Sequence, residues 1–204
     1  MPALEKMADN VFDLAICDPL YGVQESAYRN NDKSKLAKTT KYHDSLWSQK
    51  KTTPVEIKEI LRVSKNQIIW GGNYFISSLY DTRCMIVWDK DNTGNFADAE
   101  LAWTSFDECV RIFKFRWNGM LQQNMKEKEN RIHPTQKPVE LYKWLLQNYA
   151  KEGDKILDTH LGSGSIALAC WDIKFDLTGY EIDKEYFDNA VLRLERHKAQ
   201  GQLF

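Results

Sequence analysis

The chain is poor in cysteine: among 204 residues there are only Cys17, Cys84, Cys109 and Cys170, scattered with no CxxC pair and no metal-ligand spacing. That excludes a disulfide framework and a zinc ribbon, and it suits reduced, buried thiols. There is no surplus of charge either, since 28 Lys and Arg face 29 Asp and Glu for a formal net charge of -1, which excludes a uniformly basic wrapper of polyanions. Long apolar runs are missing. The N-terminal stretch MPALEKMADNVFDLAICDP is interrupted at Asp18 before it could form a signal peptide or a membrane span, so a soluble, cytoplasmic protein is expected. Internal repeats and low-complexity tracts are also absent. What remains, 43% hydrophobic and 12% aromatic residues, can bury one core of ordinary size, and a single domain over residues 1–204 is the expectation.

Charge is concentrated locally. Residues 22–51 carry seven basic residues, Lys33, Lys35, Lys38 and Lys41 among them, against three acidic ones; the stretch lacks periodicity and reads as a long mobile loop. Residues 111–131 carry six basic against two acidic. Here VRIFKFRW alternates with basic residues on one face, and Arg111, Lys114 and Arg116, together with the loop lysines, are the candidate phosphate contacts.

The apolar run VFDLAICDP, closed by a turn, predicts a strand buried on both faces of a parallel sheet. Further strands are expected at 67–70, 84–88, 155–159 and 175–181, and an antiparallel pair at 100–106 and 109–117. Helices are expected at 54–64 behind a capping Thr53, and at 138–151, 163–171 and 184–198. This alternation predicts an α/β fold with a doubly wound, mostly parallel, Rossmann-like sheet.

Two segments carry chemistry. In KILDTHLGSGSIALAC a strand, a turn with Gly162 and Gly164, and a helix follow in direct succession, so that backbone N–H groups could approach a ligand closely. Seventeen residues beyond Gly164, Glu181 ends the next strand, placed to accept hydrogen bonds from ribose hydroxyls. NAD is the alternative ligand, but GxGxxG is not satisfied because Ala167 stands at its last position. The second segment is Asp18-Pro19-Leu20-Tyr21. A purine amine is a poor nucleophile because its lone pair is delocalised into the ring. Two acceptors on its N–H groups, the Asp18 carboxylate and the Pro19 carbonyl, would pull the nitrogen toward tetrahedral geometry, and Tyr21 offers a face for a flipped base.

DPLY at 18–21 resembles the DPPY motif of amino-methyltransferases, DTHLGSGS at 158–165 resembles their DPFxGSGT cofactor motif, and HPTQKP at 133–138 matches the segment just before it. The order resembles the beta group of DNA amino-methyltransferases, and WGGNYF at 70–75 is similar to a segment of that group. The resemblance implies methyl transfer from S-adenosylmethionine to the N6 amine of adenine in DNA. Asp18, Pro19 and Tyr21 would hold the target. Asp158, His160, Gly162 and Gly164 would line the cofactor, with Glu181 on its ribose and Thr135 and Lys137 near its methionine moiety, where a lysine could meet the carboxylate. No metal is implied.

The chain departs from the family pattern in places. Leu20 replaces the second proline, which costs backbone rigidity but neither acceptor, so activity is expected to survive. His160 stands where the family usually has phenylalanine. The strand end that usually helps bind the cofactor's adenine would lie almost at or before the start of the chain, so another residue substitutes or the native start lies upstream. The recognition region, about residues 91–130, is short, which suits low sequence specificity or a region shared with a second subunit. A homodimer is compatible with this, and the sequence names no restriction partner. Cytosine N4 methylation and a catalytically silent DNA-binding relative stay open as alternatives. Asp18 favours adenine, since cytosine-directed relatives tend to carry serine there.

Overall fold

The computed structural model describes residues 1–22, 50–92, 97–118 and 121–201. The expected loop at 22–51, with Lys33, Lys35, Lys38 and Lys41, lies almost wholly outside the described residues. Its two ends meet, because Tyr21 pairs with Lys51 and Thr52 N–H donates to Leu20 C=O at 2.7 Å.

Among the described residues the main sheet has seven strands: β1 (Phe12–Cys17), β2 (Ser64–Trp70), β3 (Met85–Asp89), β4 (Ala99–Thr104), β5 (Arg111–Lys114), β8 (Lys155–Asp158) and β9 (Asp176–Gly179). β6 (Trp117–Asn118) and β7 (Leu121–Gln122) form a separate hairpin. The order across the sheet is β5-β3-β4-β2-β1-β8-β9, and only β4 runs against the rest. β1 sits between β2 and β8, parallel to both, and all but one of its residues are buried. That is why its sequence is an unbroken apolar run rather than an alternation.

Among the described residues four α-helices cover the faces: α1 (Pro54–Val63), α2 (Val139–Tyr149), α3 (Ser165–Ile173) and α4 (Lys184–Gly201). α1 begins where expected, with a reciprocal cap in which Thr53 Oγ1 accepts from Glu56 N–H at 3.3 Å and Glu56 Oε2 from Thr53 N–H at 2.8 Å, followed by a proline at the first turn. It buries Ile57, Ile60 and Val63. The two faces of β1 are both covered: Ala15 and Cys17 pack with Ile60, Val63 and Leu4, whereas Leu14 and Ile16 pack with Leu141, Leu145 and Ile166.

The predicted antiparallel pair at 100–106 and 109–117 is not formed. Each segment joins β3 instead, β4 antiparallel on one side (Ile86↔Ala102) and β5 parallel on the other (Ile86↔Arg111). Alternation tells which face of a strand is buried and nothing about which neighbour it pairs with. Two strands of the expected recognition stretch therefore belong to the main sheet, and only the β6–β7 hairpin stands apart. The chain leaves β1 toward β2 and later leaves β8 toward β9 on the opposite side, so the direction of winding switches between β1 and β8. A ligand crevice is expected outside the carboxyl ends of those two strands.

Candidate active site

β1 ends at Asp18. Its carboxylate is buried, and Oδ2 accepts a hydrogen bond from Lys137 Nζ at 2.5 Å while Oδ1 is buried without a hydrogen-bond partner among the described residues. Lys137, 3% exposed, also reaches Glu100 Oε2 at 3.1 Å, and Glu100 is bonded in turn to Lys90. Two carboxylates and two ammonium groups thus form a partly buried, formally neutral cluster with Lys137 at its centre, flanked by indole rings: Lys137 lies 5.3 Å from the Trp70 ring centre and Lys90 5.0 Å from that of Trp88. Burial and the neighbouring Glu100 charge push the Asp18 carboxyl above its ordinary range, against the opposing pull of Lys137. Burial works against Glu100 too, but Lys137 and Lys90 outweigh it and hold its carboxyl down at about 2.

Tyr21 lies stacked on Tyr74, with ring centres 4.5 Å apart and planes within 5°. The second aromatic belongs to the WGGNYF segment. Gly71 makes the arrangement possible in two ways: its φ is +64°, and a Cβ there would lie 2.7 Å from the Tyr21 ring. Lys51 completes the corner by donating to Tyr74 C=O at 2.8 Å. One face of Tyr21 is therefore already covered by Tyr74.

β8 ends at Asp158, whose Oδ1 accepts from His160 N–H at 2.9 Å. The glycine turn that follows is tied within the chain. Leu161 N–H donates to Tyr180 C=O at 2.8 Å, Gly162 N–H to Glu181 Oε2 at 2.7 Å and Gly164 N–H to Leu161 C=O at 2.9 Å. These three amides of the turn are thus donated within the chain, since amides withdrawn from water need partners and the chain supplies them. Gly162 and Gly164 serve the turn through positive φ, +51° and +70°, and a Cβ on Gly164 would come within 3.0 Å of Ala190 Cβ on α4. Gly164 permits close helix packing.

A cavity of about 430 Å³ opens between the two strand ends. Of the residues expected from the motifs, Asp18, Thr135, Lys137, His160, Gly162 and Glu181 line it, whereas Asp158, Gly164, Pro19 and Tyr21 lie outside its lining. His133 Nδ1 accepts from Thr135 N–H at 3.3 Å, which shapes the HPTQKP turn. His160 Nδ1 is 2.9 Å from Thr159 Oγ1 and its Nε2 3.4 Å from Thr52 Oγ1. Burial lowers its imidazole to about 4, with Glu56 opposing, so the ring is neutral near pH 7. Residues 1–4 also line the cavity, where no motif pointed. Leu4 is 1% exposed, and Arg62 holds the segment by donating to Leu4 C=O and Met7 C=O, each at 2.9 Å.

Asp158 gives the site a pH signature. Burial, then the charges of Asp18 and Glu181, raise its carboxyl from 3.8 to about 8 against the opposing His160 N–H. A raised carboxyl stabilises the fold fully below its ordinary value, and that contribution is lost as pH climbs through about 8. Thermal melts from about pH 5 to about pH 9 are therefore expected to show wild-type stability falling relative to Asp158→Asn, which can still accept from His160. Parallel melting curves for the two proteins would contradict this.

Of the expected phosphate contacts, Arg111, Lys114 and Arg116 are exposed on or beside the edge strand β5. Lys114 and Arg116 both pair with Asp91, which ties two of the three basic groups to one carboxylate. Sequence reasoning missed Glu100, Lys90 and Tyr74. No local pattern marks Glu100 or Lys90, because their significance arises from β4 and β3 lying near β1 in the sheet. Tyr74 stood inside a segment already noted.

A Rossmann-like sheet with a cavity at its switch point, an acidic strand end on one side and a glycine turn on the other defines a methyltransferase-type fold. The DNA methylase family model matches residues 22–192, and the chain belongs to that family. A stretch of 68 residues is 38% identical to Type II methyltransferase M.HpaI of Haemophilus parainfluenzae, covering 33% of this chain and 22% of that one. Another of 79 residues is 38% identical to Type II methyltransferase M2.DpnII of Streptococcus pneumoniae, covering 39% and 29%. The similarity thus spans less than a third of either relative. Among solved structures, the M1.HpyAVI-SAM complex superposes with a TM-score of 0.55 at 21% identity over 91% of this chain and 90% of that one, a likeness of fold.

Proposed function

We propose that this chain is an S-adenosylmethionine-dependent DNA methyltransferase acting on the N6 amine of adenine. The observation that carries the reading is Asp18 Oδ1, a buried carboxylate oxygen without a hydrogen-bond partner among the described residues, at the edge of a cavity built beside the cofactor-type turn. A buried acceptor left open costs free energy unless a ligand satisfies it, and a base amine is the donor that suits it.

The residues present fit the cofactor. The cavity is of ligand size, Glu181 keeps further carboxylate lone pairs for ribose hydroxyls, and Leu161 and Ile182 offer apolar surface to a flat base. NAD fits less well. A pyrophosphate calls for free amides in the glycine turn, whereas those of Leu161, Gly162 and Gly164 are already donated within the chain. Thr135, His160 and Glu181 would hold the cofactor, which when bound would supply a sulfonium-activated methyl carbon to the amine lone pair, with sulfur keeping the electron pair of the C–S bond that breaks. Asp18 Oδ1 and the Pro19 carbonyl accept the two N–H groups, which localises the lone pair. Asp18, raised above the usual carboxylate range, is suited to take the proton that the alkylated nitrogen must shed. Tyr21 and Tyr74 provide an aromatic wall for the extruded base.

Adenine is favoured over cytosine by the carboxylate at the first position of the tetrapeptide. The test is to incubate the chain with radiolabelled cofactor and unmethylated DNA, then digest the product to nucleosides. Label in N6-methyladenine is expected; label confined to N4-methylcytosine would replace the substrate assignment, and DNA binding without incorporation would mark a silent relative. Because Arg62 pins residues that line the cavity, Arg62→Ala is also expected to weaken cofactor binding several-fold in titration calorimetry. An unchanged affinity would remove residues 1–4 from the cofactor site.

A further inference from the structure

Lys137 has more than one possible partner in the cavity. Its ammonium is 2.5 Å from Asp18 Oδ2 and 3.1 Å from Glu100 Oε2, it is 3% exposed, and Glu100 is fixed on its far side by Lys90. An ammonium bridging two partly buried carboxylates has one N–H left to offer a third, and pulling it away would strand both. The geometry also divides the two oxygens of Asp18: Oδ2 is taken and Oδ1 is open.

We propose that Lys137 is a positioning residue for Asp18 rather than the partner of the cofactor's carboxylate. Anchored by Glu100 and Lys90, it grips Oδ2, keeps the buried carboxylate ionised and turns Oδ1 toward the target amine. This rests on the methyltransferase reading for its functional consequence, though the Lys137–Asp18 device itself can be tested without turnover. The charged and titratable groups that act on Asp18 are Lys137, Glu100, Lys90, Asp158, Tyr142 and Cys17. Only Lys137 and Lys90 among them are cationic, and Lys137 alone touches Asp18.

The test uses the full chain with Lys137→Met, Lys137→Gln and Glu100→Gln. Three quantities are measured: cofactor Kd by calorimetry, kcat at saturating cofactor, and the titration midpoint of Asp18 by carboxyl carbon NMR in the unliganded protein. For both neutral variants of Lys137 the expectation is a Kd within about threefold of wild type and a kcat lower by about 100-fold. The Asp18 midpoint should rise by about one unit or more. Glu100→Gln should move that midpoint down, because a negative neighbour is removed. A loosened, hydrated pocket would instead bring Asp18 back toward its ordinary value in every variant, so a rise on losing Lys137 separates a specific electrostatic role from a structural one. The proposal is overturned if losing Lys137 weakens cofactor binding roughly tenfold or more while kcat at saturation holds, the result expected of a carboxylate partner. It is also overturned if the Asp18 midpoint stays or falls. Should the wild-type chain transfer no methyl group, the NMR titration still decides the device, and the failure belongs to the functional reading.

Discussion

Asp18→Asn is expected to lower kcat by on the order of a thousandfold while leaving cofactor affinity within a few-fold of wild type. The substitution keeps the shape of the side chain and replaces a charged acceptor with an amide. If the amide oxygen stays on Lys137, the position of Oδ1 is filled by an N–H group facing the amine, so the lost acceptor becomes a repulsive donor. The proton shed by the alkylated nitrogen also loses its nearest base. Stability should suffer little, because Lys137 retains Glu100 at 3.1 Å and is not left as an isolated buried charge. Initial rates of methyl incorporation at saturating cofactor, with calorimetry alongside, measure both sides; a variant retaining a tenth or more of the wild-type rate would sink the proposed role of Asp18.

Gly72→Ala is expected to cost about 3 kcal/mol, a fall in Tm of roughly 10 °C. A Cβ at this position would sit 2.5 Å from Trp103 Cβ and 2.8 Å from Trp103 N, so the collision is with a fully paired strand and not with the tip of a side chain that can swing away. Trp103 is held from both sides, pairing with Ile69 on β2 and Met85 on β3, and its indole donates to Tyr80 C=O at 2.8 Å. Relief therefore requires β2 and β4 to move apart near the end of β2. The neighbouring Gly71→Ala meets the Tyr21 ring at 2.7 Å and the Tyr74 ring at 3.4 Å, together with an unfavourable φ, and should disturb the aromatic corner more than the fold. Thermal denaturation of the two variants side by side reads the difference, and a Gly72→Ala protein as stable as wild type would contradict the packing described.

Much of this molecule was legible locally. Pro54 after Thr53, with Glu56 three residues on, announces the start of α1, because a cap is made by neighbours in the chain. The unbroken apolar run before Asp18 announces a strand with neighbours on both faces, and β1 lies at the heart of the sheet. DPLY and the glycine turn could be placed at strand ends, and Asp18, Thr135, Lys137, His160, Gly162 and Glu181 do converge on one cavity. What could not be read was partnership. Arg111–Lys114 alternates as an edge strand should, yet its partner is β3 and not the nearer β4. Glycines announced an irregular turn, but whether its amides would face a ligand or the chain depended on Glu181 and Tyr180 arriving from the next strand.

By itself, then, the sequence determined the kinds of element, their order, and the candidate residues for the proposed amine chemistry, since these depend on interactions within a few positions of the chain. Only the tertiary structure decided that the winding switches between β1 and β8, and so brings Asp18 and the glycine turn to one cavity. It alone decided that β4 and β3 carry Glu100 and Lys90 to Lys137, far from it in sequence. The physical reason is the same in each case: a buried charge or amide must find a partner, and which partner is within reach is set by the packing of the sheet, not by distance along the chain.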